Sequence, residues 1–106
     1  MPKYLIQASY TADGAKGLMK DGGSKRRAAV EAIAKSIGAR VEAFYFGFGT
    51  SDAYLILDAP DNASVAAVSL TVSASGAVRS ATTVLLTAEE IDKAAKISVQ
   101  YQAPGR

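Results

Sequence analysis

The stretch Arg40–Pro60, with the sequence RVEAFYFGFGTSDAYLILDAP, decides the fold of this 106-residue chain. It predicts two β-strands, Arg40–Phe48 and Asp52–Asp58, because aromatic and branched residues, which favour strands, crowd both arms. The connector between them, Gly49-Thr50-Ser51, is short and contains a glycine. Such a connector between two strand-forming runs indicates a β-hairpin.

The first strand carries large apolar side chains on both faces. Because side chains alternate along a strand, its three phenylalanines are expected on the face of Arg40 and Glu42. The other face carries Val41, Ala43, Tyr45 and Gly47. A strand that is apolar on both faces is buried on both. A chain of this length cannot readily cover both sides of a sheet, so we expect a second subunit to cover the face with Phe44, Phe46 and Phe48.

The rest of the chain predicts further strands and helices from its apolar periodicity and its capping residues. In chain order these are a strand Tyr4–Tyr10, a helix Ala12–Lys20, a helix Lys25–Ile37 capped by Ser24, a helix Ala63–Ser75, a strand Ala77–Leu86 and a last helix that runs to about Val99. The last helix begins with a capping box, Thr87-Ala88-Glu89-Glu90. The segment Ala63–Ser75 is rich in β-branched residues, and a buried strand is the alternative there.

This order of elements predicts the α+β class and, within it, a ferredoxin-like βαββαβ sandwich with an extra C-terminal helix. The expected sheet is antiparallel, with four strands in the order 4-1-3-2 and right-handed crossovers. Its helices cover one face and leave the other open. We find no repeat or linker, and we therefore expect residues 1–106 to form a single domain.

Composition excludes several classes of function. The net charge of +2 is too small to argue for a nucleic-acid partner, and the aromatic residues lie mostly in strand patterns. The absence of Cys and His removes disulfides, the usual ligands of zinc and haem, and the Ser-His and Cys-His nucleophile pairs. We therefore expect no metal and no cofactor. No apolar run reaches the roughly 18 residues that span a membrane, and no signal peptide is apparent, so a cytoplasmic location is expected.

A candidate pocket is predicted at one edge of the open sheet face. Asp52 opens the third strand and Arg79 lies early in the fourth, so both fall at the same edge. We add Tyr45 and Gln7 as polar groups of the same pocket. The structural alternatives are that Asp52 accepts amide hydrogen bonds in the turn and that Arg79 forms an ion pair with a nearby carboxylate.

A candidate anion site is predicted in the run Gly22–Arg27, with sequence GGSKRR. Glycines before a helix N-terminus leave free amides, and the helix dipole favours an anion there. The proposed binding residues are Gly23, Ser24, Lys25 and Arg27. The spacing is not that of a P-loop, and the alternative is a solvated basic face.

Residues spread over nearly the whole chain resemble the GYD-domain family. The matching positions are Tyr10-Thr11, Gly14, Arg27, Gly38, Phe44-Tyr45, Gly49, Asp52, Pro60-Asp61, Gly76, Val78-Arg79 and Thr82. The tyrosine of the Gly-Tyr-Asp signature is replaced by Ser51, while Gly49 and Asp52 are kept. The resemblance implies a ferredoxin-like fold related to dimeric α+β barrels, in a family of bacterial proteins whose activity is not settled.

Three functions are compatible with these features. The first is a homo-oligomeric module, a dimer or a higher assembly, whose open sheet faces pair and enclose a small molecule. The second is a cofactor-free enzyme of the dimeric α+β barrel type, similar to a monooxygenase or an isomerase. It would use Asp52, Arg79 and a tyrosine on a small organic substrate. The third is a regulatory module that binds an anion at Gly22–Arg27.

Overall fold

A computed structural model describes residues 1–106 as four strands and four helices. The elements are β1 Lys3–Tyr10, α1 Ala12–Asp21, α2 Gly23–Ser36, β2 Arg40–Phe46, β3 Ala53–Asp58, α3 Asn62–Ala74, β4 Val78–Leu85 and α4 Ala88–Ala95. The α+β class is confirmed. None of the four helices has the length and apolar character that crossing a membrane requires.

The four strands form one antiparallel sheet in the order β2-β3-β1-β4. This is the predicted order 4-1-3-2 read from the opposite edge. β1 lies in the interior of the sheet and pairs with both β3 and β4. The helices α1 and α2 connect β1 to β2, and α3 connects β3 to β4.

The segment that follows β3 is helical, and the alternative of a buried strand there is wrong. The Asp61 carboxylate accepts a hydrogen bond from the Ser64 amide at 2.8 Å, which caps the N-terminus of α3. The capping box of α4 is also present. Thr87 Oγ1 accepts from the Glu90 amide at 3.1 Å, and the Thr87 amide donates to the Glu90 carboxylate at 3.0 Å.

Two predicted helix boundaries are wrong. Ser24 does not cap α2, because Gly22 takes a φ of +85° and α2 begins directly after it at Gly23. This backbone conformation is accessible to glycine, and it ends α1 so sharply that Ser24 falls inside the first turn of α2. The last helix ends at Ala95 rather than near Val99. The amides of Lys96 and Ile97 bond three residues back, so the final turn tightens and the helix stops.

The predicted alternation of β2 is wrong because the strand contains a β-bulge. Val41 lies opposite Leu57 and Ala43 lies opposite Ile56, so Glu42 is an extra residue between them. An extra residue shifts every later side chain to the other face of the strand.

The phenylalanines therefore do not share a face with Arg40. Phe44 packs against the core between sheet and helices, and the ring of Phe46 lies against Gly23 of α2. Tyr45 turns instead to the side of the sheet away from α2. The strand ends at Phe46, so Phe48 lies in the connecting loop, where it is fully exposed.

The core lies between the sheet and the helices and is small. Its largest fully buried side chain is Tyr4, whose hydroxyl donates to Asn62 Oδ1 at 2.6 Å. Only 11 of the 106 residues are buried. The main cluster consists of Tyr4, Ala34, Leu55, Leu57, Ala59 and Val65, and a second cluster consists of Ala8, Ala53 and Val78.

The isolated chain exposes more surface than a compact protein of its mass. Its accessible area is 7568 Å², about 2,000 Å² above the roughly 5,600 Å² expected at 11.0 kDa. Its radius of gyration is 16.9 Å, against about 13 Å for a compact domain of this length. Part of the excess comes from the segment 86–102, here called the C-terminal arm, in which every residue is exposed.

Candidate functional site

The open sheet face is the side of the sheet away from α2 and α3. Residues paired across adjacent strands share a face, so the register defines three rows of side chains that cross all four strands, with the pair Ser9 and Arg79 beyond the last row. From β2 to β4 these rows are Arg40, Asp58, Lys3 and Leu85; then Ala43, Ile56, Leu5 and Thr83; then Tyr45, Tyr54, Gln7 and Ala81. The two latter rows carry no charge, and they form an apolar and aromatic centre.

The charged row is an ion-pair network. Asp58 accepts from Arg40 at 2.8 Å and from Lys3 at 3.0 Å, and Lys3 also contacts Glu42 at 2.9 Å. The hydrogen bond from Arg40, and then that from Lys3, lowers the pKa of Asp58 below its ordinary value. Hydrogen bonds to Glu42 and then Asp58 raise the pKa of Lys3. The network ties β1, β2 and β3 together and satisfies its own charges, so we interpret it as structural.

Gln7 and Tyr45 lie in the same row of the open face, as the candidate pocket requires. Gln7 sits on the interior strand, and its Oε1 atom accepts a hydrogen bond from Ser51 Oγ at 3.5 Å. Ser51, at the signature tyrosine position, is buried. Tyr45 lies on the edge strand and is 73% exposed. Between the two lies Tyr54, which the sequence did not single out for the pocket.

Asp52 holds the β2–β3 loop against β1. Its carboxylate accepts a hydrogen bond from the Tyr10 amide at 2.9 Å, and its own amide donates to the Ala8 carbonyl at 2.8 Å. The strand β3 begins one residue later than predicted, at Ala53. The carboxylate therefore serves the backbone. The predicted structural role is right in kind, although the amide comes from β1 and not from the turn.

Arg79 lies opposite Ser9 at the start of β4 and is exposed. It forms no ion pair, so the predicted pairing with a carboxylate is wrong. Asp58 lies at the far end of the sheet, opposite Lys3, where it pairs with Lys3 and Arg40. Asp52 and Arg79 do lie at the same end of β1, on its two sides. The structure thus brings Gln7, Tyr45 and Arg79 to the open face, with Asp52 bonded to the backbone at its edge.

The predicted anion-binding residues are only partly grouped. Gly23, Ser24 and Arg27 border a shallow cleft next to β2, but the Lys25 ammonium contacts the Asp21 carboxylate at 3.5 Å. A Cβ on Gly23 would lie 3.0 Å from the ring of Phe46, so close packing already accounts for this glycine. Anion binding here stays a prediction.

A crevice that the sequence analysis did not identify lies on the other side of the sheet, between α2 and α3. Its volume is about 70 Å³, and 14 of its 18 lining residues are hydrophobic. Its one charged lining residue is Arg26. The signal was present in the sequence, because Arg26 shares the i, i+4, i+7 face of α2 with Val30 and Ile33.

A comparison with protein families agrees with this description. The family model described as GYD domain matches residues 4–95, from β1 through α4. The chain belongs to the GYD family. No curated protein and no solved structure matches the chain. The function of this GYD domain must therefore be argued from its own surface.

Proposed function

We propose that this GYD domain is a homo-oligomeric module whose copies pack through the open sheet face. The observation that carries the proposal is the excess of about 2,000 Å² of exposed surface over a compact chain. In a stable complex of standard size each partner buries about 800 Å². The excess is large enough to supply one such interface and more.

The composition of the open sheet face supports its role as the interface. Leu5, Ile56 and Tyr54 form its centre, and Tyr45 projects at its edge. Interface cores are enriched in aromatic residues and depleted of charge. The charges of this face lie at its two ends: Arg40, Asp58 and Lys3 pair with one another at one end, and Arg79 lies at the other.

The C-terminal arm gives a second apolar surface for the assembly. Its helix α4 is amphipathic and leaves Ile91 half exposed, and Ile97, Val99 and Tyr101 beyond it are more exposed still. An amphipathic helix buries its apolar face against a partner surface. In the assembly we propose, the arm packs on a second copy.

Packing two open faces would place Gln7 and Tyr45 at the rim or floor of an enclosed space. The amide and the phenol, with the free guanidinium of Arg79 nearby, suit a small molecule that carries oxygen acceptors. The Asp52 carboxylate is occupied by the Tyr10 amide, so the geometry favours binding over proton transfer. We therefore propose that this space binds a ligand rather than catalyses a reaction.

A charge placed at the centre of the open face tests the interface. Tyr54→Lys puts an unpaired ammonium in the proposed contact and is expected to release monomers, because an unpaired buried charge is costly. Met19→Lys on α1 is the control, since Met19 is also an exposed apolar residue, 86% against 36% for Tyr54, and lies away from the open face. Size-exclusion chromatography with light scattering measures both masses. Equal masses for Tyr54→Lys and wild type would contradict the proposed interface.

A further inference from the structure

The crevice between α2 and α3 has the make-up of a site for a small amphipathic ligand. Its walls come from Val30 and Ile33 of α2, Val65 and Val68 of α3, and the sheet beneath. Its mostly apolar lining with a few polar groups has the composition of ligand pockets, and its volume of about 70 Å³ restricts it to a small molecule.

Arg26 lines this crevice without a carboxylate partner. It is half-buried, and its Nε atom donates to the Tyr10 hydroxyl at 3.3 Å. Its guanidinium carbon lies 5.7 Å from the centre of the Tyr10 ring. Asp13 and Asp21 border an adjoining cleft with it, yet neither forms an ion pair with it. Because its hydrogen-bond partner is neutral, this partly desolvated cation can still donate charge-assisted hydrogen bonds to an anion.

We propose that the crevice binds a small amphipathic carboxylate. The apolar body, a short acyl chain or a phenyl ring, packs between α2 and α3 against the sheet. The carboxylate accepts hydrogen bonds from the Arg26 guanidinium, whose position is fixed by Tyr10. This site is distinct from the open sheet face, because it lies on the opposite side of the sheet.

The charge of the ligand head group gives the first test, in the wild-type protein. A titration with hexanoate, followed by amide chemical shifts, is expected to move the signals of Val30 and Val68. Hexan-1-ol has the same chain without the charge and is expected to bind at least about tenfold more weakly, given the strength of charged hydrogen bonds. Equal binding of the two compounds, or no shift with millimolar hexanoate, would overturn the proposal.

Substitutions on α2 give the second test. Arg26→Gln is expected to remove the preference for hexanoate, whereas Arg27→Gln, one residue along and exposed, is expected to keep it. Ser69→Leu fills the crevice from α3 and is expected to weaken the binding of both compounds. Ser73→Leu, on the exposed side of α3, is its control. A preference for hexanoate that survives Arg26→Gln would overturn the assignment. If Arg26→Gln does not fold, the comparison of the two compounds in wild type still decides.

The assembly variant separates this inference from the proposed function. Tyr54→Lys changes the open sheet face alone, and it is expected to bind hexanoate as wild type does. Loss of hexanoate binding in a folded Tyr54→Lys protein would contradict a site that each chain builds by itself.

Discussion

At the scale of single residues, two aspartates have different tasks. Asp58 accepts from Arg40 and Lys3 at one end of the sheet, and Asp52 accepts from the Tyr10 amide near the other. The sequence predicts both aspartates at strand boundaries, but it leaves the role of Asp52 undecided. The partner that decides its role, Tyr10, lies 42 residues away along the chain, so local sequence could not identify it.

The ion-pair network gives stability a defined pH dependence. The pKa of Asp58 is lowered in the folded state, so its contribution is complete above its ordinary value of 3.8 and is lost as the pH falls through the folded pKa. The pKa of Lys3 is raised, so its contribution is complete below 10.5 and is lost as the pH rises through the folded pKa.

Urea unfolding between pH 2 and pH 7 measures the acidic part of this dependence. Asp58→Asn is expected to be less stable at pH 7 and to lose less stability on acidification than wild type. Asp92→Asn, on the exposed arm and without an ion pair, is the control and is expected to follow wild type. An unchanged acid slope in Asp58→Asn would contradict the role given to the network.

Gln7 and Arg79 carry the residue-scale prediction on ligand binding. If the assembled open faces enclose a small molecule, Gln7→Leu and Arg79→Gln should each abolish its retention and cost little stability, because neither side chain belongs to the ion-pair network. Native mass spectrometry of the purified proteins, with thermal unfolding in parallel, measures both effects. If the substitutions reduce stability and leave retention of the small molecule unchanged, these residues have a structural role.

At the scale of elements, the sequence predicts where helices and strands lie better than which face they present. The capping residues Thr87 and Asp61 identify α4 and α3 because each acts on amides three residues away. The bulge at Glu42 has no such local signal. It follows from the pairing of β2 with β3, in which Glu42 reaches Lys3 of β1, and it reverses the faces of Phe44 and Tyr45.

The packing of α1 on Ala77, the residue before β4, depends on Gly14. A Cβ at this position would lie 2.0 Å from the Ala77 carbonyl oxygen, while a Cβ on Gly17, in the same helix, would meet open space. Gly17→Ala is therefore expected to stabilise by about 0.5–1 kcal/mol through helix propensity. Gly14→Ala is expected to destabilise by about 1–3 kcal/mol because the helix must shift.

The two alanine variants form a matched pair, since each makes the same chemical change in α1. Their free energies of unfolding in urea should move in opposite directions. Stabilisation by both substitutions would show that α1 does not pack on Ala77 as described.

At the scale of the whole molecule, the shape of the chain points to an assembly. Its longest dimension is 55 Å, and all residues of the C-terminal arm are exposed, although the arm carries Leu86, Ile91 and Tyr101. Sequence predicted the helix of the arm but not its separation from the core. That separation depends on which surfaces of the domain are already covered by other helices and strands. The residue pattern of a single strand or helix does not contain this information.

Removal of the arm tests its place in the assembly. A chain ending at Leu85 is expected to keep the fold of the domain, because no residue of the arm is buried. The truncated chain is expected to associate more weakly, by about tenfold for each 1.4 kcal/mol of contact free energy that is lost. Sedimentation measures the association and circular dichroism measures the fold. If the truncated chain folds and associates as strongly as the full chain, the arm is not part of the interface.

Sedimentation equilibrium of the wild-type protein at micromolar concentration tests the central claim most directly. Pairing through the open sheet face predicts a mass of at least twice the 11.0 kDa of one chain, and a mass near 11.0 kDa for Tyr54→Lys. A wild-type protein that sediments as a monomer of 11.0 kDa throughout the micromolar range would contradict the claim.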